Sequence, residues 1–271
     1  MKYFDVNAWL GEWPFRSLRD NTPEALIARL ERAGIHNAAV SQIEGMFHRH
    51  PQPANEKLAA SVASHLDRLV PIATINPRFP MWEVDLAKCQ EDLGMKGVRM
   101  FPQYHDYAVD GSEGRRLIGA CRERGLPVFI PHRVEDVRQR NWMDPGRVVD
   151  LNQVANVISS EPEATIVIPN ARSLAGSPVW TRKDIRDGLW YFDLSLAEVH
   201  YVLHRSVDRM TDLAEFIEQG GEQHLVFGTH TPFSYPSAAR VKSAVLPVSS
   251  EVLEDICYKT AAKLLGLEVA A

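Results

Sequence analysis

Apolar residues along the chain follow two spacings that alternate with each other. The first helical stripe consists of Leu26, Ile27 and Leu30. Thr22 and Pro23, an N-cap and first-turn pair, precede it, and Gly34 ends it. Two more stripes follow, formed by Leu58, Val62 and Leu66 and by Trp82, Leu86 and Leu93. A short β-rich run comes after each stripe, so the pattern predicts helices and strands in alternation.

Eight β-rich runs can be counted. The first is the opening segment "FDVNAWL", and the others occupy residues 37–43, 69–75, 97–101, 126–130, 164–169, 189–195 and 224–229. A helix predicted to start at Asp144 and Pro145 lies between the fifth and sixth runs, and a last helix carries Val252, Ile256, Leu264 and Leu265. This count predicts one α/β domain over residues 1–271, a (β/α)8 TIM barrel.

A doubly wound open sheet is the alternative architecture. It is disfavoured because it calls for a glycine-rich phosphate turn after its first strand, and "NAWLGEW" contains one glycine. The longest irregular stretches, residues 44–54, 131–144 and 170–188, each follow a predicted strand. In a barrel such loops lie on the catalytic face.

Composition narrows the classes of partner. The chain has 271 residues and a net charge of −5, so it lacks the basic field that holds nucleic acid or an anionic membrane. We therefore expect a small-molecule partner, with a homo-oligomer left open. Cys89, Cys121 and Cys257 have no metal-ligand spacing and are interpreted as reduced core residues. Without a leader segment or a long uncharged apolar run, a cytoplasmic protein is expected.

Several motifs resemble one family. The segments "FDVNAWLG", "GMKGVRMFPQYHDY", "LPVFIPHR", "YFDLS", "LVFGTHTPF" and "ICYKTAAKLLGL" occur in an order similar to that of the amidohydrolase-related (family 2) branch of the amidohydrolase superfamily. The resemblance covers nearly the whole chain and implies a TIM barrel. It does not specify a substrate.

The resemblance also implies a metal site, from which this sequence departs. Family members typically carry a His-x-His pair after the first strand, histidines after the fifth and sixth, and an aspartate after the eighth. The corresponding residues here are Asn7 and Trp9, then His132, Asn170 and His230. The terminal Gly-Asn-Ala of the family is replaced by 259–261, Lys-Thr-Ala.

These exchanges weaken the expectation of a metal. A catalytic zinc site needs about three ligands from imidazole, thiolate or carboxylate, with one position open for water. Asn7 is a neutral, weak donor, and the indole of Trp9 has no usable lone pair and would fill the space of the ion. No cofactor is therefore expected, and one divalent metal such as zinc is the alternative.

Other histidines are candidates to replace the missing ligands. His48 and His50 are one residue apart in the loop after the second strand, where a solvated polar loop is the simpler interpretation. His200 and His204 share a helical spacing but have Tyr201 where a zinc protease has glutamate, which favours surface or packing roles. His105 follows the fourth strand and is predicted either to reach the mouth of the barrel as acid, base or donor, or to pair with Asp106.

Charged residues are also predicted inside the barrel. Arg99 faces the centre two residues below Phe101, where it would bind a substrate carboxylate or form a buried pair with Asp193. Asp5 shares the face of Asn7 and Trp9 by alternation and is another predicted interior acid.

Three functions remain open from the sequence. The first is a hydrolase for a small acidic metabolite with a degraded or metal-free site. In this hydrolase Arg99, His132 and His230 would stabilise an oxyanion, and His105 or Asp193 would take the proton. The substrate site would be completed by Asn7, Trp9 and Asn170. The second is a zinc-dependent hydrolase or decarboxylase that uses His132 and His230. The third is a catalytically silent ligand-binding barrel.

Three structural predictions follow from the first function. Trp9 should project into the barrel mouth and occupy the metal space. His132 and His230 should lie on the same rim, close enough to share a ligand. The pocket bounded by Arg99, His105, His132 and His230 should prefer an anion to zinc, because histidine replaces a negative aspartate.

Overall fold

The computed structural model describes residues 1–136, 139–195 and 212–267. Its strands run in parallel and each pairs with the next along the chain. They are β1 Phe4–Leu10, β2 Asn37–Gln42, β3 in two segments Leu69–Pro71 and Ala73–Thr74, β4 Val98–Arg99, β5 Val128–Phe129, β6 Ile166–Ile168, β7 Trp190–Asp193 and β8 Leu225–Val226.

The first and last strands close the sheet into a barrel. The backbone N–H of Val6 donates to the carbonyl of Phe227 at 3.0 Å, and that of Trp9 donates to the carbonyl of Thr231 at 2.9 Å. Ala8 and Thr231 also form a parallel bridge. The predicted (β/α)8 barrel is confirmed.

Helices cover the outside of the barrel. Their bounds are α1 Pro23–Arg32, α2 Gln52–Val62, α3 Trp82–Glu91, α4 Pro102–His105, α5 Ser112–Glu123, α6 Leu151–Ser160, α7 Pro178–Thr181, α8 Asp212–Glu218, α9 Pro236–Ala244, α10 Ser250–Glu254 and α11 Thr260–Leu264, with a π-helix at Asp255–Lys259 and 3₁₀ turns at Ile43–Phe47, Lys183–Ile185 and Glu222–His224. The start of α1 is as predicted, because the Thr22 hydroxyl accepts the N–H of Ala25. None of the helices described is long and apolar enough to cross a bilayer.

The helix predicted to start at Asp144 starts later. Its N-cap is Asp150, whose carboxylate accepts the N–H of Asn152 at 2.8 Å. Asp144 is buried instead in a turn, where it accepts the N–H of Gly146 at 2.9 Å and the hydroxyl of Tyr104 at 3.0 Å. An aspartate that bonds the N–H two residues ahead forms a local turn, and this turn competes with the helix that the Asp-Pro pair favours.

The core has two apolar layers. The larger layer lies between strands and helices, and the smaller fills the barrel interior with Phe4, Val6, Ile72, Phe129, Val167 and Val226. Ala261 and Ala262 of α11, with Leu265 just after it, close the interior at the N-terminal ends of the strands. The buried polar side chains described below lie towards the other end, where the loops after the strands begin.

Candidate active site

A bulge in β1 sets the polar end of the barrel. The pairing of β1 with β2 shifts register between Asp5 and Ala8, so Val6 packs in the interior apolar cluster while Asn7 and Trp9 also reach the interior. Asp5 holds this irregular backbone: it accepts the N–H groups of Asn7 and Thr229, both at 2.9 Å, and the Thr229 hydroxyl. Burial raises the pKa of Asp5 to about 6, against the opposing effect of these hydrogen bonds. Asp5 therefore connects β1 to the end of β8.

Asn7 is the centre of a buried polar network. Its side-chain amide faces the Asn170 Oδ1 at 2.9 Å, the Asp193 Oδ2 at 2.9 Å and the Ser195 Oγ at 3.0 Å. The Ser195 hydroxyl lies 2.5 Å from Asn170 and 2.6 Å from Asp193. Four residues from β1 and from the ends of β6 and β7 are thus bonded to each other and withdrawn from water.

The indole of Trp9 lies inside the barrel, fully buried, above this network. Its N–H faces the Asn7 Oδ1 at 3.0 Å and the His230 Nδ1 at 3.2 Å. One donor thus lies between two acceptors, which occupy two of the positions where the resemblance implies metal ligands.

His230 is neutral in this setting. Its Nδ1 accepts from Trp9 and faces the side-chain amide of Asn170 at 3.3 Å, so the proton of the neutral ring belongs on Nε2. Burial lowers the pKa of His230 to about 3, and the positive charge of Arg99 adds to this effect. Both His230 and Asn170 have left-handed backbone conformations, with φ of 60°. This conformation is uncommon for residues other than glycine and is found where surrounding contacts determine it.

Arg99 lies beneath Trp9 and is fully buried. Its guanidinium carbon is 4.2 Å from the indole centroid, and its Nη2 donates to the carbonyl of Val6 at 3.1 Å. Burial lowers the pKa of Arg99 to about 9 while the charges of Asp193 and Asp5 oppose the shift, so the side chain stays protonated at pH 7. The sequence left open a direct ion pair between Arg99 and Asp193, and that prediction is wrong. These two described residues form no salt bridge, although the charge of Asp193 acts on the pKa of Arg99.

Asp193 accepts hydrogen bonds instead of pairing with the arginine. Its Oδ1 accepts the backbone N–H of Asn170 at 2.9 Å, and its Oδ2 faces Asn7 and Ser195. Burial raises the pKa of this carboxyl group. A Cβ added at Gly228 would lie 2.4 Å from the Asp193 Oδ2, so the chain just after β8 can pass this carboxylate in this position only with glycine.

Apolar side chains, most of them aromatic, close the mouth of the barrel above Trp9, and we call this cluster the plug. Phe101 and Phe233 lie 5.8 Å and 6.0 Å from the indole, centroid to centroid, and Phe233 stacks on the His230 ring at 4.7 Å. The rest of the plug consists of Trp13, Leu18, Ile43, Met46 and Val134, with Phe15, Phe47 and Tyr104 at its edge. The centre of the barrel is therefore filled by side chains and closed off from the surface.

The remaining predicted site residues lie around this filled centre. His132 is half-buried and its Nδ1 lies 2.9 Å from the carbonyl of Val149; burial lowers the pKa of His132 to about 4. No hydrogen bond or ring contact in the described ranges joins His132 to His230, and the shared rim stays a prediction. His105 lines a separate cavity and does not pair with Asp106, which bonds Arg78 at 2.7 Å.

Of the two other histidine pairs, the structure describes one, His48 and His50. His50 lies 3.0 Å from the Asp85 carboxylate and stacks on Phe79 at 4.0 Å, whereas His48 is exposed and lines the same cavity as His105. His200, Tyr201 and His204 lie outside the described residues.

A groove opens beside the plug, between α1 and the loops after β1 and β8. We call it the arginine groove; its volume is about 650 Å³ and it is lined by Arg16, Ser17, Leu18, Arg19, Asp20, Arg29, Arg32, Ala33, Gln139, Pro232, Phe233, Ser234, Tyr235, Pro236 and Ser237. Four arginines in one groove contrast with the net negative charge of the chain. The plug residue Phe233 separates this groove from His230.

Comparison with known proteins assigns the family. The amidohydrolase family model matches residues 6–267. The chain belongs to the amidohydrolase family.

Solved structures of this fold agree over nearly the whole chain. A 2,6-dihydroxybenzoate decarboxylase from Rhizobium superposes with a TM-score of 0.72 at 15% identity, covering 98% of each chain. A 5-carboxyvanillate decarboxylase from Sphingomonas paucimobilis gives a TM-score of 0.72 at 13% identity, covering 98% of this chain and 99% of the other. A dihydroxybenzoic acid decarboxylase from a Polaromonas species, solved with manganese and 2-nitroresorcinol, gives 0.72 at 14% identity, covering 99% and 98%. At these identities the likeness concerns the fold.

Sequence reasoning did not assign Ser195 and the plug to the site. Ser195 was recognisable by alternation, because it lies two residues after Asp193 on the same face. The aromatic residues Trp13 and Phe233 carried a weaker signal. Each lies in a loop close to a predicted site residue, and no periodicity predicts the direction of a loop side chain.

Proposed function

We propose that this chain is a metal-independent amidohydrolase-family protein that binds a small anionic compound at the catalytic face of its barrel. The position of Trp9 carries the proposal. Its N–H faces the Asn7 Oδ1 and the His230 Nδ1, the two atoms that would otherwise be available to a cation. Its ring fills the space between them.

The donor chemistry around Trp9 does not fit a divalent metal. A zinc site requires about three strong ligands, and the described residues contain no group of three His, Cys, Asp or Glu side chains that could hold an ion. Arg99, protonated beneath the indole, adds a positive charge that opposes a cation. The positions that differ from the family pattern therefore support a degraded metal site.

The arginine groove supports an anionic ligand. Arg29 is fixed by Asp20 at 3.0 Å and by the carbonyl of Ser234 at 2.8 Å, and Arg16 is fixed by Glu135 at 2.6 Å. Arg19 and Arg32, by contrast, are exposed and have no carboxylate partner among the described residues. A guanidinium fork matches a carboxylate in two hydrogen bonds, so these two side chains are suited to grip a ligand.

An aromatic carboxylate suits the rest of the groove. Tyr235 is exposed, and its ring lies 5.3 Å from the guanidinium carbon of Arg29, so it offers a face for a ring beside the cationic wall. The decarboxylases of similar fold act on acidic aromatic compounds by name, which agrees with this ligand class. We propose benzene dicarboxylates as the first probes.

Two measurements test the proposal. Elemental analysis of the purified protein should find no zinc or manganese in stoichiometric amount, and calorimetry at pH 7 should detect isophthalate binding. Replacing both free arginines, Arg19→Gln and Arg32→Gln, should weaken that binding by about a hundredfold, at roughly tenfold for each charge-assisted contact. The matched control removes two exposed lysines at the other end of the barrel, Lys96→Gln and Lys263→Gln. Stoichiometric metal, or isophthalate binding that survives the arginine changes, contradicts the proposal.

A second candidate is metal-independent hydrolysis of an acidic compound. It is favoured by the neutral ring of His230, which stacks on the groove residue Phe233 and could act on a ligand if the plug opened. A screen of lactones and carboxylated amides decides between binding and hydrolysis. Turnover that disappears in His230→Asn supports the hydrolase, and the absence of turnover for compounds that bind supports the binding protein.

A further inference from the structure

Phe233 belongs both to the plug and to the wall of the arginine groove. Its ring stacks on His230 at 4.7 Å and lies 6.0 Å from Trp9 and 5.0 Å from Trp13, centroid to centroid. The residue is 7% exposed, and the empty space that it borders is the groove, about 650 Å³ in volume. The phenyl ring is therefore the partition between the groove and His230.

The backbone around Phe233 is held in place. The N–H of Ser234 donates to the carbonyl of His230 at 3.0 Å. Two arginine side chains add to this, since Arg29 donates to the carbonyl of Ser234 at 2.8 Å and Arg16 donates to that of Phe233 at 3.2 Å. A ring on a fixed backbone moves by rotating between staggered side-chain conformations. Because the plug is filled with packed side chains, the groove is the space into which this ring can rotate.

Arg16 lies where the ring and the groove meet. It lines the groove, and its guanidinium carbon lies over the Phe233 ring, 5.7 Å from the centroid. Its Nε donates to the Glu135 Oε1 at 2.6 Å, and the Trp13 indole N–H donates to the Oε2 of the same carboxylate at 3.2 Å. The Glu135 side chain is 2% exposed, and a charge buried to this degree needs its partners. Glu135 thus fixes two of the groups that touch the ring.

We propose that Phe233 is a gate between the arginine groove and His230, that it opens by rotating into the groove, and that Arg16, fixed by Glu135, keeps it closed. A compound that fills the groove also keeps the gate closed, because it takes the space that the ring needs. Occupancy of the groove and access to His230 therefore exclude each other. The gate itself does not depend on the proposed function, whereas its control by an anion rests on binding of that anion in the groove.

Hydrogen exchange of the Trp9 indole N–H reports on the gate, because this N–H is buried against His230 and exchanges when water reaches it. In protein labelled with ¹⁵N-tryptophan, Arg16→Gln should speed this exchange by about tenfold, as expected for the loss of one charge-assisted hydrogen bond. The fully buried indole N–H of Trp190, bonded to a backbone carbonyl at 2.7 Å, packs between strands and helices and should keep its rate. Arg147→Gln, at an exposed arginine outside the groove, is the matched control and should change neither rate.

A second variant separates opening of the gate from a loss of stability. Arg16→Gln alone leaves the buried Glu135 charge without its arginine, which destabilises the whole fold. Combining Arg16→Gln with Glu135→Gln removes both charges, and this pair should also speed the exchange of Trp9 by about tenfold and leave Trp190 unchanged. General destabilisation would speed both indoles.

Filling the groove should have the opposite effect. Ser237→Phe adds a ring to the groove wall and should slow the exchange of the Trp9 indole several-fold. Saturating isophthalate at pH 7 should do the same in the wild type.

The outcomes are distinguishable. An unchanged Trp9 rate in the double variant overturns the gate, and so does equal acceleration of Trp9 and Trp190. If neither Ser237→Phe nor bound isophthalate slows the exchange of Trp9, rotation into the groove is wrong. If isophthalate does not bind in calorimetry, the proposed function fails, and the variants alone decide the gate.

Discussion

At the scale of single residues, polar side chains inside this barrel stabilise the fold by hydrogen-bonding within the protein. Asn7, Asn170 and Asp193 are buried, and their side chains are hydrogen-bonded to each other, to Ser195 and to nearby backbone groups. A buried polar group without a partner costs about 1–3 kcal/mol, so such a network is stable only when it is complete. Trp9 completes it by donating to Asn7 and His230.

Two substitutions of Trp9 should separate the contribution of the indole's volume to stability from the contribution of its hydrogen bond. Trp9→Phe keeps an aromatic ring but removes the N–H, and we expect a loss of about 1–3 kcal/mol in the free energy of unfolding. Trp9→Ala leaves a cavity as well and should cost about 3–5 kcal/mol. Urea denaturation followed by circular dichroism measures both. Trp142→Ala, at a site 86% exposed, is the control and should change little. Equal stability of Trp9→Ala and Trp142→Ala would show that the indole does not pack as described.

Asp5 should make stability depend on pH between about 4 and 6. Its pKa rises from 3.8 to about 6 on folding, so in this range the folded state binds more protons than the unfolded state. The stabilisation is present below pH 4 and is lost as pH rises through 6. The near-isosteric Asp5→Asn cannot ionise, so the wild type should lose roughly 2–3 kcal/mol relative to the variant over this range. Denaturation curves for both proteins at pH 4, 5, 6 and 7 measure it. A constant difference would contradict the assignment.

At the scale of elements, the order of helices and strands could be predicted, and their ends often could not. Alternating apolar spacing is enough to place all eight strands, because most of their residues are buried and the apolar strand runs alternate with runs at helical spacing. The start of α1 follows from Thr22 and Pro23. The start of α6 does not follow from Asp144 and Pro145, because Asp144 makes a side-chain turn with Gly146.

The candidate site was predictable in part for the same kind of reason. Strand residues such as Asn7, Trp9 and Asp193 have directions fixed by pleating, apart from the bulge at Asp5, and they do meet. Loop residues such as His105 and His132 have no such rule. Pairing of Arg99 with Asp193 failed because a long side chain can reach several partners, and it bonds β1 carbonyls and the Trp9 ring instead.

The N-cap of α6 can be tested directly. Asp150→Ala removes the carboxylate that accepts the Asn152 N–H, and we expect a loss of about 1 kcal/mol in the free energy of unfolding, typical of an N-cap. Thr22→Ala, which removes the longer 3.4 Å contact to Ala25, should cost less. Thermal and urea denaturation measure both. If Asp150→Ala has no effect, the helix does not depend on this cap.

At the scale of the whole molecule, charge is unevenly distributed. The chain carries a net charge of −5, yet four arginines line one groove between α1 and the loops after β1 and β8. Two of them are held by Asp20 and Glu135. Among the four, Arg19 and Arg32 are exposed and have no carboxylate partner in the described part of the chain. An anion at the groove therefore meets a positive local field, although the net charge of the protein repels anions.

Binding at the arginine groove should therefore weaken with salt. The two free guanidinium groups are exposed, and exposed charges are screened over about 8 Å at an ionic strength of 0.15 M. Isophthalate affinity should fall several-fold between 50 and 300 mM sodium chloride, and uncharged benzamide should show no such dependence. Calorimetry at the two salt concentrations measures it. A salt-independent isophthalate affinity would place the ligand away from these arginines.

Asn7, Trp9 and His230 also limit how the sequence can change over generations. A histidine at position 9 alone would leave a gap beneath Phe101 and would withdraw the indole N–H that His230 and Asn7 share. An aspartate at position 230 alone would face the indole N–H and place a new charge in a buried interior. Each single step towards the ligand pattern of the family thus passes through a less stable intermediate, and the effects of the steps do not add. Lineages with this tryptophan should therefore rarely regain the histidine pair, even where a metal-dependent reaction would be advantageous.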